Sequence, residues 1–237
     1  MSASQPAASI RSARLGPDAT GVAAPQTVIL LHGLMRSSWS MRPLARRLAR
    51  EGVAVRNVGY PSWRLDPERL LARLDAQFGS CRGAPAGSVH FVTHSLGGVL
   101  LRAWLARAPL ASLGRVVMLA PPNAGSEVVD RIGTRRLLRL LLGPTGQLLG
   151  TGAGAWPGGL PPAGYEVGIV AGTRSINPLF SALLPGENDG AVTVANTRLP
   201  GATGFVTVPA NHTFIMRSRR VHDQVVSFLR TGHFQAT

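Results

Sequence analysis

Six short apolar runs punctuate the chain, and between them apolar residues return every three or four positions. The first run covers 27–31 (TVILL) and ends at His32-Gly33-Leu34. Met41, Leu44, Ala45, Leu48 and Ala49 then follow helical spacing, with Arg42, Arg46, Arg47 and Arg50 on the other face, Ser40 as cap and Gly52 as stop. A strand is predicted over 53–59, and Asp66-Pro67 opens a helix with Leu70, Leu71, Leu74 and Phe78 inward. The run 89–94 meets a serine and two glycines, after which Val99, Leu100, Ala103 and Trp104 continue as a helix stopped before Pro109. Further strands fall at 115–119, 166–171 and 204–208, and a last helix starts near Ser218 with Val221, Val225, Phe228 and Leu229 on one face.

Continuously apolar strands that alternate with amphipathic helices predict a mostly parallel sheet of about six strands, covered by helices on both faces. Ligands of such sheets bind beyond the carboxyl ends of the strands, so the residues just after each strand carry the most information. The segment 124–164 interrupts the rhythm. Its Leu137, Leu138, Leu141 and Leu142 oppose Arg131, Arg135, Arg136 and Arg139, and a Gly/Pro-rich stretch around Trp156 follows. That pattern fits a cap or lid folding its leucines over the crevice; the same pattern fits a basic amphipathic helix lying on an anionic membrane.

Composition narrows the setting. A chain of 237 residues, 45% hydrophobic, suits one domain over 27–237, preceded by a solvated Ala/Ser/Pro-rich tail over 1–26. The tail has no h-region of a signal peptide and no apolar run approaches the ~20 residues of a membrane span. Cys81 is the single cysteine, which excludes an internal disulfide and a cysteine metal cluster, so a reducing cytoplasmic setting is expected. The net charge of +14 is all arginine, with no lysine, but the arginines are spread along polar helix positions. No nucleic-acid motif accompanies them, so a solvated basic surface is expected, with contact to an anionic membrane as the other use.

The chemistry gathers around Ser95. In Thr93-His94-Ser95-Leu96-Gly97-Gly98 a strand turns sharply into a helix, which lifts the serine hydroxyl and the next peptide N–H out of the sheet. This is the nucleophile-elbow pattern G-x-S-x-G with threonine in place of the first glycine. A serine needs a base within hydrogen-bond reach and a third group to orient that base. Of the six histidines, His212 in Asn211-His212 directly follows the last strand; His32, His90, His94, His222 and His233 are placed less well. Asp189, in Asp189-Gly190 between the last two strands, is the favoured acid, although Asp-Gly is also an ordinary turn; Asp130, Glu187 and Asp223 are its competitors. The backbone N–H groups of Leu96 and Leu34 are the expected oxyanion donors.

His32-Gly33-Leu34, the elbow, Asp189-Gly190 and Asn211-His212, in this order, resemble the α/β-hydrolase superfamily, and within it small bacterial serine lipases and esterases. The resemblance covers 27 to about 229 and implies an α/β-hydrolase fold with Ser95 as nucleophile, Asp189 as acid, His212 as base, and Leu34 with Leu96 as oxyanion donors. The implied activity is hydrolysis of carboxylic esters through an acyl-enzyme, without cofactor or metal. Met35, Trp39, Trp63, Leu137 and Leu141, beside Leu34, are candidate contacts for an apolar acyl chain of a small-molecule or lipid ester. Peptide hydrolysis or acyl transfer by the same triad, and a non-catalytic module binding a partner or anionic lipid through its arginines, are the alternatives; nucleic acid is not expected as a partner.

Overall fold

The computed structural model describes residues 26–133, 136–176, 178–182 and 184–236. The tail proposed over 1–26 therefore lies outside the described residues, except for Gln26. The strands are β1 (Thr27–Leu31), β2 (Ala54–Val58), β3 (Val89–His94), β4 (Leu113–Leu119), β5 (Val167–Gly172) and β6 (Gly204–Val208). The helices are α1 (Arg42–Arg50), α2 (Pro67–Phe78), α3 (Leu96–Arg107), α4 (Glu127–Gly133), α5 (Arg136–Gly146), α6 (Pro178–Ala182), α7 (Val194–Thr197) and α8 (Arg219–Thr231).

All six strands pair in parallel, in the order β2-β1-β3-β4-β5-β6. The order reverses between β1 and β3, so a crevice opens beyond their carboxyl ends, where Leu31 pairs with Thr93 and His94 with Leu119. Strand alternation divides the core into two layers. Ile29, Leu31, Phe91 and Met118 face α2 and α3, where Phe78 meets Trp104 edge-on at 4.8 Å between ring centroids. Val28, Leu30, Val92, Val117 and Val170 face α1 and α8 through Leu44, Leu48, Val225 and Phe228. The sheet is thus covered on both faces, as its unbroken apolar strands require.

Local starts and stops follow residue chemistry, with one correction. Asp66 caps α2 by accepting from the Arg69 N–H at 2.9 Å, with Pro67 in the first turn. Ser40 does not cap α1. A 3-10 turn, Ser38–Met41, precedes that helix, and the Ser40 hydroxyl donates to the Ser37 carbonyl at 2.8 Å instead. Pro43 in the first turn of α1 lacks the N–H that a cap would satisfy, which removes much of the need for one.

The 124–164 segment forms α4, α5 and a Gly-rich stretch. α5 breaks at Gly143, whose φ of +65° precedes Pro144. A side chain at Gly143 would lie 1.8 Å from the Trp63 carbonyl oxygen, and one at Gly146 would lie 2.7 Å from the Leu34 side chain. The Thr145 hydroxyl donates to the Leu65 carbonyl at 2.7 Å. The segment therefore rests on the loops that follow β1 and β2. Leu142 is buried and Leu140 exposed. The side chains of Leu137, Leu138 and Leu141 lie outside the described residues. No helix among the described residues is long and apolar enough to cross a membrane.

Candidate active site

Ser95 joins β3 to α3 with no intervening loop. Its φ of +51° and ψ of −124° are unusual for a residue with a side chain, and the turn holds because its surroundings fix it. The Ser95 N–H donates to the Leu119 carbonyl at 2.9 Å, and the Gly98 N–H closes the first turn of α3 onto the Ser95 carbonyl at 2.9 Å. Gly97 permits the close crossing: a Cβ there would lie 2.8 Å from the Leu31 carbonyl oxygen and 2.9 Å from that of His32. Gly98 explains how threonine is tolerated before His94, since a Cβ at Gly98 would lie 3.2 Å from the Thr93 hydroxyl. Thr93 occupies room that the second glycine leaves open.

The loops after β5 and β6 bring the other two groups to Ser95. His212 Nε2 lies 3.0 Å from Ser95 Oγ, and His212 Nδ1 lies 2.7 Å from Asp189 Oδ2. The Asp189 side chain is fully buried and that of His212 partly exposed. The other Asp189 oxygen accepts from the N–H groups of Val192 at 2.8 Å and Ala191 at 3.0 Å, so the Asp-Gly turn itself orients the carboxylate. The His212 N–H donates to the Asp189 carbonyl at 3.0 Å, which ties the two loops together. Gly172, the last residue of β5, allows this approach; a side chain there would lie 2.5 Å from the Ala210 carbonyl oxygen and 2.8 Å from Asp189 Cβ.

The loop after β1 lies against the elbow. A Cβ on Gly33 would stand 2.8 Å from His94 Nδ1 and 3.0 Å from Ser95 Cβ. Leu34 and Met35, the latter with φ of +54°, follow Gly33 in this loop. Leu96 opens α3, so its N–H is one of those that a helix start leaves free of intrahelical partners. Met35, Trp39 and Trp63 are exposed at 58%, 72% and 42%, on the loops that leave the sheet at this end.

The remaining sequence candidates have other partners. Asp130 accepts from the Thr151 N–H and hydroxyl within the inserted segment. Asp223 pairs with Arg47 at 3.4 Å, and Glu187 is exposed, with its carbonyl accepting from the Val194 N–H at 2.8 Å. His32 stacks on Tyr60 and accepts its N–H at 3.3 Å; His90 accepts the Arg115 N–H at 2.9 Å; the His222 ring donates to the Met216 carbonyl at 2.8 Å.

His94 is the residue that sequence reasoning missed. Set aside in the sequence as less well placed than His212, it packs against that residue, with ring centroids 5.0 Å apart. Its Nε2 lies 3.0 Å from the His212 carbonyl oxygen, an acceptor, so Nε2 carries the proton and donates. Burial, and then the nearby His212, hold the His94 pKa well below the usual histidine value, so it remains a neutral donor. Its place as the last residue of β3, on the same face as Val92, was the available signal; that His212 comes to lie over this face depends on the loop after β6.

Fold and site together define an α/β hydrolase. The chain belongs to that family: residues 28–234 match the family model described as Alpha/beta hydrolase family. No curated protein sequence matches the chain. Among solved structures it is similar to the lipase BlEst2 of Bacillus licheniformis in mature form, with a TM-score of 0.70 at 22% identity over 92% of this chain and 96% of that one. It is also similar to the metagenomic carboxyl esterase MGS0156, with a TM-score of 0.55 at 20% identity, over 90% of this chain and 70% of the other. Phospholipase PlaB from Legionella pneumophila aligns with a TM-score of 0.56 at 19% identity over 74% of this chain and 45% of that one.

Proposed function

We propose that the protein is a serine hydrolase that cleaves carboxylic esters through an acyl-enzyme. The observation that carries this reading is the continuous line of contacts from Ser95 Oγ to His212 Nε2 at 3.0 Å and from His212 Nδ1 to Asp189 Oδ2 at 2.7 Å. Ser95 attacks the ester carbonyl carbon while His212 Nε2 takes the hydroxyl proton. Asp189 accepts from Nδ1–H, which keeps Nε2 free as the base and then stabilises the imidazolium. The Leu96 and Leu34 N–H groups receive the negative charge that develops on the carbonyl oxygen. His212 returns its proton to the departing alcohol, the acyl–Ser95 ester remains, and water deprotonated by His212 releases the acid. No cofactor or metal enters these steps.

The substrate reading rests on the surroundings. Leu34, next to Gly33 in the loop against the elbow, is partly buried, and exposed Met35, Trp39 and Trp63 border the same end of the sheet, which favours an apolar acyl chain over a charged one. The α5 stretch resting on Leu34 and on the Trp63 loop acts as the cap over this acyl site. The similar structures are those of a lipase, a phospholipase and a carboxyl esterase, which supports esters as the substrate class. The test is turnover of p-nitrophenyl esters of increasing chain length by the native protein and by Ser95→Ala. The expected result is hydrolysis by the native chain that falls to background in the variant. Turnover that survives in Ser95→Ala would remove Ser95 as the nucleophile.

A further inference from the structure

Large apolar side chains that remain in water are normal when scattered singly over a surface. Here they are not scattered. Among the described residues every exposed large hydrophobic lies in a segment that leaves the carboxyl end of the sheet. Met35 and Trp39 follow β1, Trp63 follows β2, Ile176 and Leu179 follow β5, and Phe214 follows β6, while two leucines belong to the segment between β4 and β5. Leu140 and Leu179 sit on α5 and α6 within those segments, and the other α-helices carry none among the described residues.

The charge at this rim is equally selective. Each of the three exposed aromatic rings lies under a guanidinium: Arg42 at 4.1 Å from the Trp39 centroid, Arg64 at 4.8 Å from Trp63, and Arg217 at 5.1 Å from Phe214. These arginines, with Arg36 and Arg174 on the same set of loops, have no ion pair among the described residues. Elsewhere Arg47 and Arg230 pair with Glu51, Arg107 with Glu68, and Arg115 with Glu166 at 2.7 Å, while others such as Arg46 and Arg50 on α1 have no ion pair among the described residues and no aromatic ring beneath them. What sets the rim apart is that unpaired cations there sit against exposed apolar rings, which leaves them for an external anion beside an apolar layer.

We propose that this rim docks on an anionic phospholipid bilayer, with Trp39, Trp63 and Phe214 entering the interfacial layer and their arginines meeting lipid phosphates. A membrane accounts for two features that a folded acidic partner does not. The apolar side chains come from five separate connections rather than one groove or strand edge, and a fluid layer adapts to such a surface where a rigid partner must match it. Indole rings favour the water–hydrocarbon boundary, and arginine keeps its stem in the apolar layer with its head among phosphates. Docking of this kind is peripheral.

The test uses the Ser95→Ala protein, so the outcome does not depend on the ester-hydrolase reading. Its recovery is measured with sedimented vesicles of phosphatidylcholine alone and of phosphatidylcholine mixed with phosphatidylglycerol. Binding to the mixed vesicles only, with a blue shift of tryptophan emission, is expected. Adding Arg42→Gln and Arg217→Gln lowers partitioning by about 25-fold, at roughly fivefold per arginine near the surface. Adding Arg46→Gln and Arg50→Gln, exposed on α1, removes equal charge with little change. Trp39→Ser with Phe214→Ser abolishes the binding that persists in high salt. Equal recovery with both lipids, or equal loss from the α1 pair and the rim pair, would overturn the proposal. Salt-resistant binding to polyglutamate with the same dependence on Trp39 and Phe214 would overturn it too, assigning the rim to an acidic protein.

Discussion

Replacing Asp189 by asparagine isolates the role of the carboxylate with little change of shape. Asp189 Oδ1 accepts two backbone N–H groups, from Val192 at 2.8 Å and Ala191 at 3.0 Å, while Oδ2 accepts from His212 Nδ1 at 2.7 Å. An asparagine keeps the two backbone bonds only by placing its carbonyl oxygen where Oδ1 stands. Its NH2 group must then face His212, and two donors cannot share that contact. The imidazole answers by moving its proton to Nε2, which presents a donor to Ser95 Oγ where a base is needed. Loss of the correct tautomer costs about 10⁴ in kcat, or ~5 kcal/mol of barrier. Stability changes little, because the bonds that hold the turn survive. The assay is kcat for p-nitrophenyl butyrate alongside a urea unfolding midpoint, with Asp130→Asn as the comparison. A variant that keeps a tenth or more of native turnover, or greater damage from Asp130→Asn, would refute the assignment of Asp189 as the triad acid.

Two further outcomes follow from buried groups and close crossings. His32, His90 and His94 are all held below the ordinary histidine value of 6.5 by burial, and His90, which also lies near Arg115, falls to about 4. Folded pKa values below the unfolded one mean that stability is complete above pH 6.5 and drains as pH falls, because the unfolded chain takes up protons that the folded chain refuses. His90 alone contributes a slope of ~1.4 kcal/mol per pH unit between those two values. Urea midpoints measured across that window should fall steeply, and His90→Gln should flatten the slope; a flat profile in the native protein would contradict the burial argument. Gly97→Ala drives a methyl group into the Leu31 and His32 carbonyls, so it should cost about 1–3 kcal/mol and shift the elbow enough to impair turnover. Gly133→Ala, with nothing among the described residues within 4 Å of the added carbon, should cost no stability in the same melts.

The sheet was legible because its strands are buried on both faces and read as unbroken apolar runs, each closed by a residue with special backbone freedom or by proline. The sharp turn at Ser95 was legible for the same reason, as a buried strand that stops at a serine and two glycines, although the same residues also read as a polar turn capping a helix. Asp189 and His212 followed from chain order and from their places after β5 and β6. What the sequence did not carry was direction and close packing. His94, the last residue of β3, lies by alternation on the face of Val92, and only the approach of the loop after β6 in three dimensions brings His212 over it. The room for Thr93 depends on Gly98, five residues on, meeting it across the elbow. Ser40 looked like a helix cap, but Pro43 shifts the start of α1 and a 3-10 turn takes its place. The leucines of 124–164 announced a segment bordering the site, whereas its anchoring through Gly143, Thr145 and Gly146 depends on three-dimensional approach to the β1 and β2 loops.

The central claim is that Ser95 is the residue which takes the acyl group. The most direct measurement is reaction of the folded protein with a fluorophosphonate, followed by peptide mapping of the adduct by mass spectrometry. The account predicts a single modified residue, Ser95, and no labelling of Ser95→Ala. Absence of labelling in the folded native protein, or an adduct that persists when Ser95 is replaced, would contradict it.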